Sequence, residues 1–366
     1  MSNNKGKSIQ GRLASLDALR GLDMFFLVGF AGIFRALPKL ADNDFFNWLA
    51  YQVTHPEWHG FTAWDVVFPM FIFIVGVAMP FSFSRRLNQE GGKNKLYKHI
   101  LTRAIILAIL GIVRSQSPLT ELHPYYGLYS VLYRIGFSYL FASIIMMNTN
   151  IRGQIYWAFG ILIGYWMLLR FVPVPGYGIG DFSQEGNLVT YIGNLVATYI
   201  SPDFRVILSP NLTTSISNAL LGVLAGHWLM TDKKGTEKTL GLLIAGIGLI
   251  IIGLIIHLDF PINKKLYTTS FTFLACGISA VFLSGFYWVI DVKGYKKWSF
   301  FFVVVGVNPL TIYLASSLLR FGNIANVFVG GIDFGSANAL VFAVTVAAVK
   351  WLFLYYLYKQ KFFFKI

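Results

Sequence analysis

The stretch THPEWHGFTAWDVVFPMFIFIVGVAMPFSF, Thr54–Phe83, decides the class of this protein. Its first eleven residues crowd two histidines, a glutamate, two tryptophans and two threonines into a short polar loop. From Val66 onward it carries no charged side chain. A helix rises about 1.5 Å per residue, so Asp65–Phe83 is long enough to cross the hydrocarbon core of a bilayer, about 30 Å thick. The change from polar loop to apolar run marks a membrane boundary.

Working outward, similar runs recur along the 366 residues. The chain is 56% hydrophobic and 13% charged, with mean hydropathy +0.61, whereas a soluble domain is about 25% charged. The pattern predicts an all-α, polytopic helical membrane protein with about ten spans: Leu16–Leu37, Asp65–Phe83, Ile100–Ser115, Tyr126–Met147, Ile155–Phe171, Leu212–Met230, Thr239–His257, Tyr267–Ile290, Phe300–Leu319 and Ala337–Tyr358. The whole of 1–366 reads as one transmembrane unit. Its long loops, 38–64 and 172–211, lie on the side that also carries Glu57, Asp181, Glu185 and Asp333. Basic residues cluster in the opposite connectors (Arg85, Arg86, Lys93, Lys95, Lys98, Lys233, Lys234, Lys238, Lys293, Lys296, Lys297), which makes that side cytoplasmic and places both termini there. No removable signal peptide is expected. The net charge of +14 is spread over these loops and not gathered on one face, which argues against nucleic acid as partner. A single cysteine, Cys276, excludes an intrachain disulfide and a cysteine-based zinc site.

Ionisable groups at membrane depth are costly and mark cavities or ion pairs. Asp17 and Arg20 are three apart in SLDALRGLDMF, so they share a helix face. Arg20 reads either as half of a surface pair or as a guanidinium that grips an anionic ligand at the cytoplasmic end. Asp23 belongs to the same helix. Arg134, inside the fourth span, reads either as a snorkelling cation or as a cavity residue. Thr62 and Asp65 have the spacing of a capping box, with the threonine hydroxyl accepting from first-turn amides. Trp58 and Trp64 suit an interfacial belt. His55, Glu57 and His59 remain. A neutral imidazole suits a general base. The His-x-Glu-x-His spacing lacks the helical i, i+4 pairing of a metal site and contains Pro56, so no metal is expected. Asn263 and Lys264 in PINKKLY read as a helix anchor or as ligand contacts. Asn308, beside Pro309 in an apolar helix, needs a partner for its amide and reads as a helix tie or a site residue.

In these motifs the chain resembles the bacterial homologues of heparan-α-glucosaminide N-acetyltransferase, a group of transmembrane acetyltransferases. The resemblance is carried by RLASLDALRGLDMF, by HPEWHGFTAWDVVFPMFIFIVG, by SVLYRIGFSYLFAS, and by FPINKKLYTTSF, IDVKG and VGVNPLTIYL in that order. It implies that His55 is the catalytic histidine, acting as base or as transient acetyl carrier, and Asp65 is counted with it as a candidate catalytic residue. It implies acetyl-CoA as cytosolic co-substrate, with Arg20, Arg134, Asn308 and Lys264 as its contacts. The acceptor would be the amino group of a glucosamine-type sugar or glycan on the outer side, and the membrane a bacterial cytoplasmic one. The alternatives are an O-acyltransferase that modifies hydroxyls of a surface glycan and a sugar transporter; no repeated halves speak for the latter. One departure stands out: the heparan enzyme has an asparagine near the end of the first helix where this chain has Ala31. No counterpart of the heparan enzyme's luminal N-terminal domain is expected. Oligomeric state, a homo-oligomer included, is left open by the sequence.

Overall fold

The computed structural model describes residues 13–87, 92–115, 130–200 and 209–364. Among these the protein is helical, with one isolated β-bridge between Val174 and Gly178 and no strand. Helices α1 (Ala14–Phe25) and α2 (Ala31–Leu40) are joined by a π-turn, Phe26–Phe30, into one run, Ala14–Leu40. There follow α3 (Asp44–Tyr51), α4 (Ala63–Leu87), α5 (Gly92–Ser115), α6 (Val131–Asn148), α7 (Ile151–Phe171), α8 (Leu188–Tyr199), α9 (Asn211–Met230), α10 (Gly235–His257) and α11 (Thr269–Phe286). The last third holds α12 (Phe300–Gly306), α13 (Pro309–Leu318), α14 (Phe321–Val329) and α15 (Asn338–Lys359). The helix starts are written locally. Ser130, Asn150, Asn187 and Thr268 each accept a first-turn amide as N-caps of α6, α7, α8 and α11.

All ten expected stretches fall on helices, although residues 126–129 of the fourth lie outside the described residues. Among the described residues seven helices are long and apolar enough to cross a membrane, or eight if α12 and α13, bent by 71° at Asn308, form one broken span. The expected loops 38–64 and 172–211 contain helices of their own, α3 and α8.

The reason α9 falls short of the hydropathy of a membrane span is its position. It packs against α4, α6, α7 and α11, and its Thr214, Ser215, Ser217 and Asn218 are wholly buried. A helix enclosed by other helices need not be apolar, because its polar groups find protein partners. Asn218 donates to the Pro69 carbonyl at 3.1 Å and to the Tyr267 hydroxyl at 2.9 Å, and accepts from Cys276 Sγ. By contrast α10, with hydropathy 2.8, and α15 are mostly unburied, and α10 presents Leu240, Ile244, Ile251 and Ile255 outward. These are the faces for lipid. Lys350, near the middle of α15, is a cation the sequence reading did not single out. It donates to the Val28 carbonyl at 2.7 Å, inside the π-turn, where the helical ladder is interrupted.

The central contact is α4 on α9. Gly76 and Gly222 face each other so closely that a Cβ on either would strike the partner helix's backbone, at the Ala219 or Phe73 carbonyl respectively. Gly222→Val is therefore expected to lower stability by about 1–3 kcal/mol through overpacking. Gly248→Ala, where a Cβ meets nothing within 4 Å, leaves it unchanged. Thermal unfolding of the two variants in detergent checks both.

Candidate active site

The Thr54–Ala63 loop is pinned at several points before α4 begins. Arg35 donates to the Val53 carbonyl at 2.8 Å, and Gln52 receives both Trp64 N (2.9 Å) and Ala63 N (3.1 Å). Gly60 turns the chain at φ +132°, a conformation that favours glycine, and donates to the Ile262 carbonyl. A second loop, 258–268, docks against the first. Asn263 Nδ2 donates to the Trp58 carbonyl at 2.9 Å, Lys265 Nζ reaches the Glu57 carbonyl at 2.6 Å and lies over the Trp58 ring, and Trp58 Nε1 donates to the Phe182 carbonyl at 2.8 Å. Three segments far apart in sequence thus enclose one spot.

At that spot stands Asp65, which is wholly buried. Its Oδ1 lies 2.7 Å from His55 Nδ1 and 3.4 Å from Lys264 Nζ, and its Oδ2 accepts from Thr62 N at 3.0 Å and from the Thr62 hydroxyl at 3.2 Å. The expected capping box is only half made. The Asp65 carboxylate does receive the Thr62 amide, but the Thr62 hydroxyl donates to Thr54 O at 2.7 Å and to Asp65. It ties the loop down and does not accept from the first turn. A carboxylate can only accept, so it fixes the His55 tautomer with hydrogen on Nδ1 and the lone pair on Nε2. The His55 side chain is 47% exposed while its anchor is at 0%. Lys264 Nζ sits 3.2 Å from Nε2 and 3.3 Å from Nδ1. Burial lowers the Lys264 pKa, the Asp65 carboxylate pulls it back up, and the Arg134 charge adds to the lowering. Burial likewise lowers His59, with a further push from His257.

Behind this centre, Arg134 donates to Asn211 Oδ1 at 3.0 Å and to the Asn211 carbonyl at 3.3 Å, and covers the Tyr267 ring at 5.0 Å. Asn211 Nδ2 in turn holds the Lys265 carbonyl at 3.0 Å. Arg134 therefore braces the loop that carries Lys264.

At the other end of α4 opens a cavity of about 1060 Å³. Its lining includes Arg20, Arg85, Arg86 and Arg103, with Asp17 as its one acid, and an apolar strip of α4 that reaches Phe71. Arg86 to Phe71 is fifteen residues, about 22 Å of helix; Phe71 to Asp65 is a further six, about 9 Å. Asp17 and Arg20 do pair, at 3.4 Å. Of the four residues expected at the nucleotide carrier, only Arg20 lines this cavity. Lys264 and Arg134 lie at the His55 end, and Asn308 is adjacent through Val307 and Pro309. Arg85 and Arg86 were legible only as topological charges. Arg103 could have been found, as an arginine inside an apolar run. Ala31 is buried at the start of α2. No group of three or more potential metal ligands occurs among the described residues.

An all-helical membrane protein with a His–Asp–Lys centre at one end of its central helix and an arginine-lined cavity at the other is the class that this geometry defines. Comparison with known proteins then narrows it. Residues 12–171 match a family model described as a domain of unknown function, DUF5009. The chain is similar to heparan-alpha-glucosaminide N-acetyltransferase: it is 27% identical to the human protein over 370 residues, covering 84% of this chain and 53% of that one. To the mouse protein it is 27% identical over 423 residues, covering 98% and 61%. The chain thus spans little more than half the length of these relatives.

Removing the Asp65 carboxylate leaves the Thr62 amide and the Lys264 charge without their buried partner. Asp65→Ala is expected to cost about 3 kcal/mol or more, and adding Lys264→Met should recover part of that loss. Unfolding of the single and double variants in a double-mutant cycle checks it; strictly additive losses would contradict the coupling.

Proposed function

We propose that this protein is a transmembrane acetyltransferase that moves acetyl from acetyl-CoA to the amino group of a glucosamine-type sugar. The observation that carries the reading is the layout of α4, with the His55–Asp65 pair at one end and a deep arginine-lined cavity at the other. The phosphates of CoA suit the arginines. Its long thioester-bearing arm suits the apolar strip toward Phe71, and the acetyl end has a layer of about 9 Å left to cross. On this reading the cavity faces the cytoplasm, the His55 end faces outward, and residues 1–366 act as a single acyltransferase unit in a cytoplasmic membrane. The names of the relatives support both the acyl transfer and the amino-sugar acceptor.

Only a neutral amine attacks a thioester. As its nitrogen bonds to the acetyl carbon, His55 Nε2 takes the proton that the amine loses; the C–S bond then breaks, and the imidazolium returns that proton to the leaving sulfur, so that CoA departs as the thiol. In the two-step variant Nε2 itself takes the acetyl group and passes it to the amine. Asp65 holds the ring and favours the cation that forms, as a positioning residue. Lys264 places positive charge beside Nε2, where the oxyanion of the tetrahedral intermediate develops. Lys264 therefore belongs to the reacting end and not to the nucleotide. Arg134 supports that same end through Asn211.

The test is to supply purified protein in nanodiscs with acetyl-CoA and glucosamine and follow N-acetylglucosamine and free CoA by mass spectrometry. His55→Ala is expected to cut turnover by about 10²–10⁴-fold; full turnover in that variant would remove His55 from the chemistry. Arg85→Gln is expected to raise KM for acetyl-CoA and leave KM for the sugar unchanged. Product formed from hydroxyl acceptors alone would move the protein to O-acyl transfer. The broken pair α12–α13 is a feature that transporters also use. Uptake of labelled sugar into vesicles without acetyl-CoA would favour that second reading.

A further inference from the structure

Asn308 is wholly buried at the 71° break between α12 and α13, next to Pro309. A buried amide in an apolar helix needs partners, and it finds them in neither helix. Its Nδ2 donates to the Phe362 carbonyl at 2.9 Å, and its Oδ1 accepts from the Phe364 amide at 3.1 Å. One side chain thus brackets Phe363 from both sides, in the manner of a strand partner, and fixes the direction in which the segment after α15 runs. The Tyr358 ring meets Phe363 edge-on at 6.2 Å. Phe363 and Phe364 are carried to the wall of the arginine-lined cavity, where Phe364 stays 40% exposed.

We propose that Gln360–Phe364 is a wall of the acyl-carrier site, with Phe363 and Phe364 as a ring platform for the adenine base of the carrier and Asn308 as the residue that positions them. The inference rests on the acetyltransferase reading and extends it to the nucleotide end. The cavity combines three chemistries along its length: cations at Arg20, Arg85, Arg86 and Arg103, an apolar strip along α4, and aromatic faces beside the cations. Cations match phosphates, an apolar strip matches an alkyl-amide arm, and a ring face stacks on a base whatever its hydrogen-bonding edge. A thioester carrier with an adenine nucleotide needs all three; a simple anion needs only the first.

The experiment compares two donors on the full chain in nanodiscs, acetyl-CoA and S-acetylpantetheine, which lacks the adenine nucleotide. Phe363→Ala and Phe364→Ala are expected to raise KM for acetyl-CoA by roughly five- to a hundredfold, the range that loss of one base–aromatic stack gives. The kcat with either donor and KM for S-acetylpantetheine should stay as in the parent protein. Trp in place of either Phe should restore KM, and Asn308→Ala should reproduce the donor-selective loss. Equal losses with both donors would reduce the segment to structural packing and overturn the proposal, as would no loss with either. Arg85→Gln separates the two levels. If it raises KM for acetyl-CoA while the Phe variants do not, the cavity is the carrier site and the platform is wrong. If neither does, both fall.

Discussion

Everything at the His55 end depends on one buried carboxylate. Asp65 starts α4, receives the Thr62 amide, orients His55 and holds the Lys264 ammonium, all through two oxygens shut away from water. Charge–charge and hydrogen-bond energies grow as the surroundings become less polar, so this cluster is rigid where a surface version would be loose. Rigidity is what an imidazole needs if its Nε2 is to meet a substrate atom in one orientation. The half-exposed ring and its fully enclosed anchor are two sides of the same arrangement.

Around that carboxylate three distant loops meet. The Thr54–Ala63 loop, the 258–268 loop and the segment around Phe182 dock through main-chain carbonyls: Trp58 O, Glu57 O, Ile262 O and Phe182 O all accept from another segment. The bracing extends backward through Asn211 to Arg134. Charge is distributed to match. Lys264, Lys265 and Arg134 at this end are each tied to a named acceptor, and at the opposite end of α4 Arg20 pairs with Asp17 and Arg103 lies over the Tyr139 ring while both line the cavity.

The membrane class and the helix positions were plain in the sequence, because long apolar runs have few alternative readings. His55 and Asp65 were legible too, but as neighbours in a motif; that they touch was not. Lys264 shows the limit. Its separation from His55 in sequence gives no hint that a loop folds its ammonium onto the imidazole. Asn308 was recognised as an amide in need of a partner, yet its partners lie in a segment past α15 that sequence alone could not place. Arg103 and Lys350 went unnoticed since each sits inside a run whose apolar neighbours dominate its average. The misread hydroxyl of Thr62 has a similar cause. The spacing fits a capping box, but the carbonyl of Thr54, which competes for that hydroxyl, is brought near only by the fold.

Proline gives α4 a further character. Pro69 and Pro80 both lie inside the helix, and each removes the N–H that would pair with the carbonyl four residues earlier, at Asp65 and at Gly76. The helix that joins the two ends of the protein is therefore a jointed rod. One joint sits directly below the His–Asp pair, where Asn218 grips the Pro69 carbonyl; the other sits at the mouth of the cavity, among residues that include Arg85 and Arg86. Between them the helix is held against α9 at Gly76 and Gly222. The two interruptions of its hydrogen-bond ladder therefore fall where α4 meets each site, and its closest packing falls between the sites.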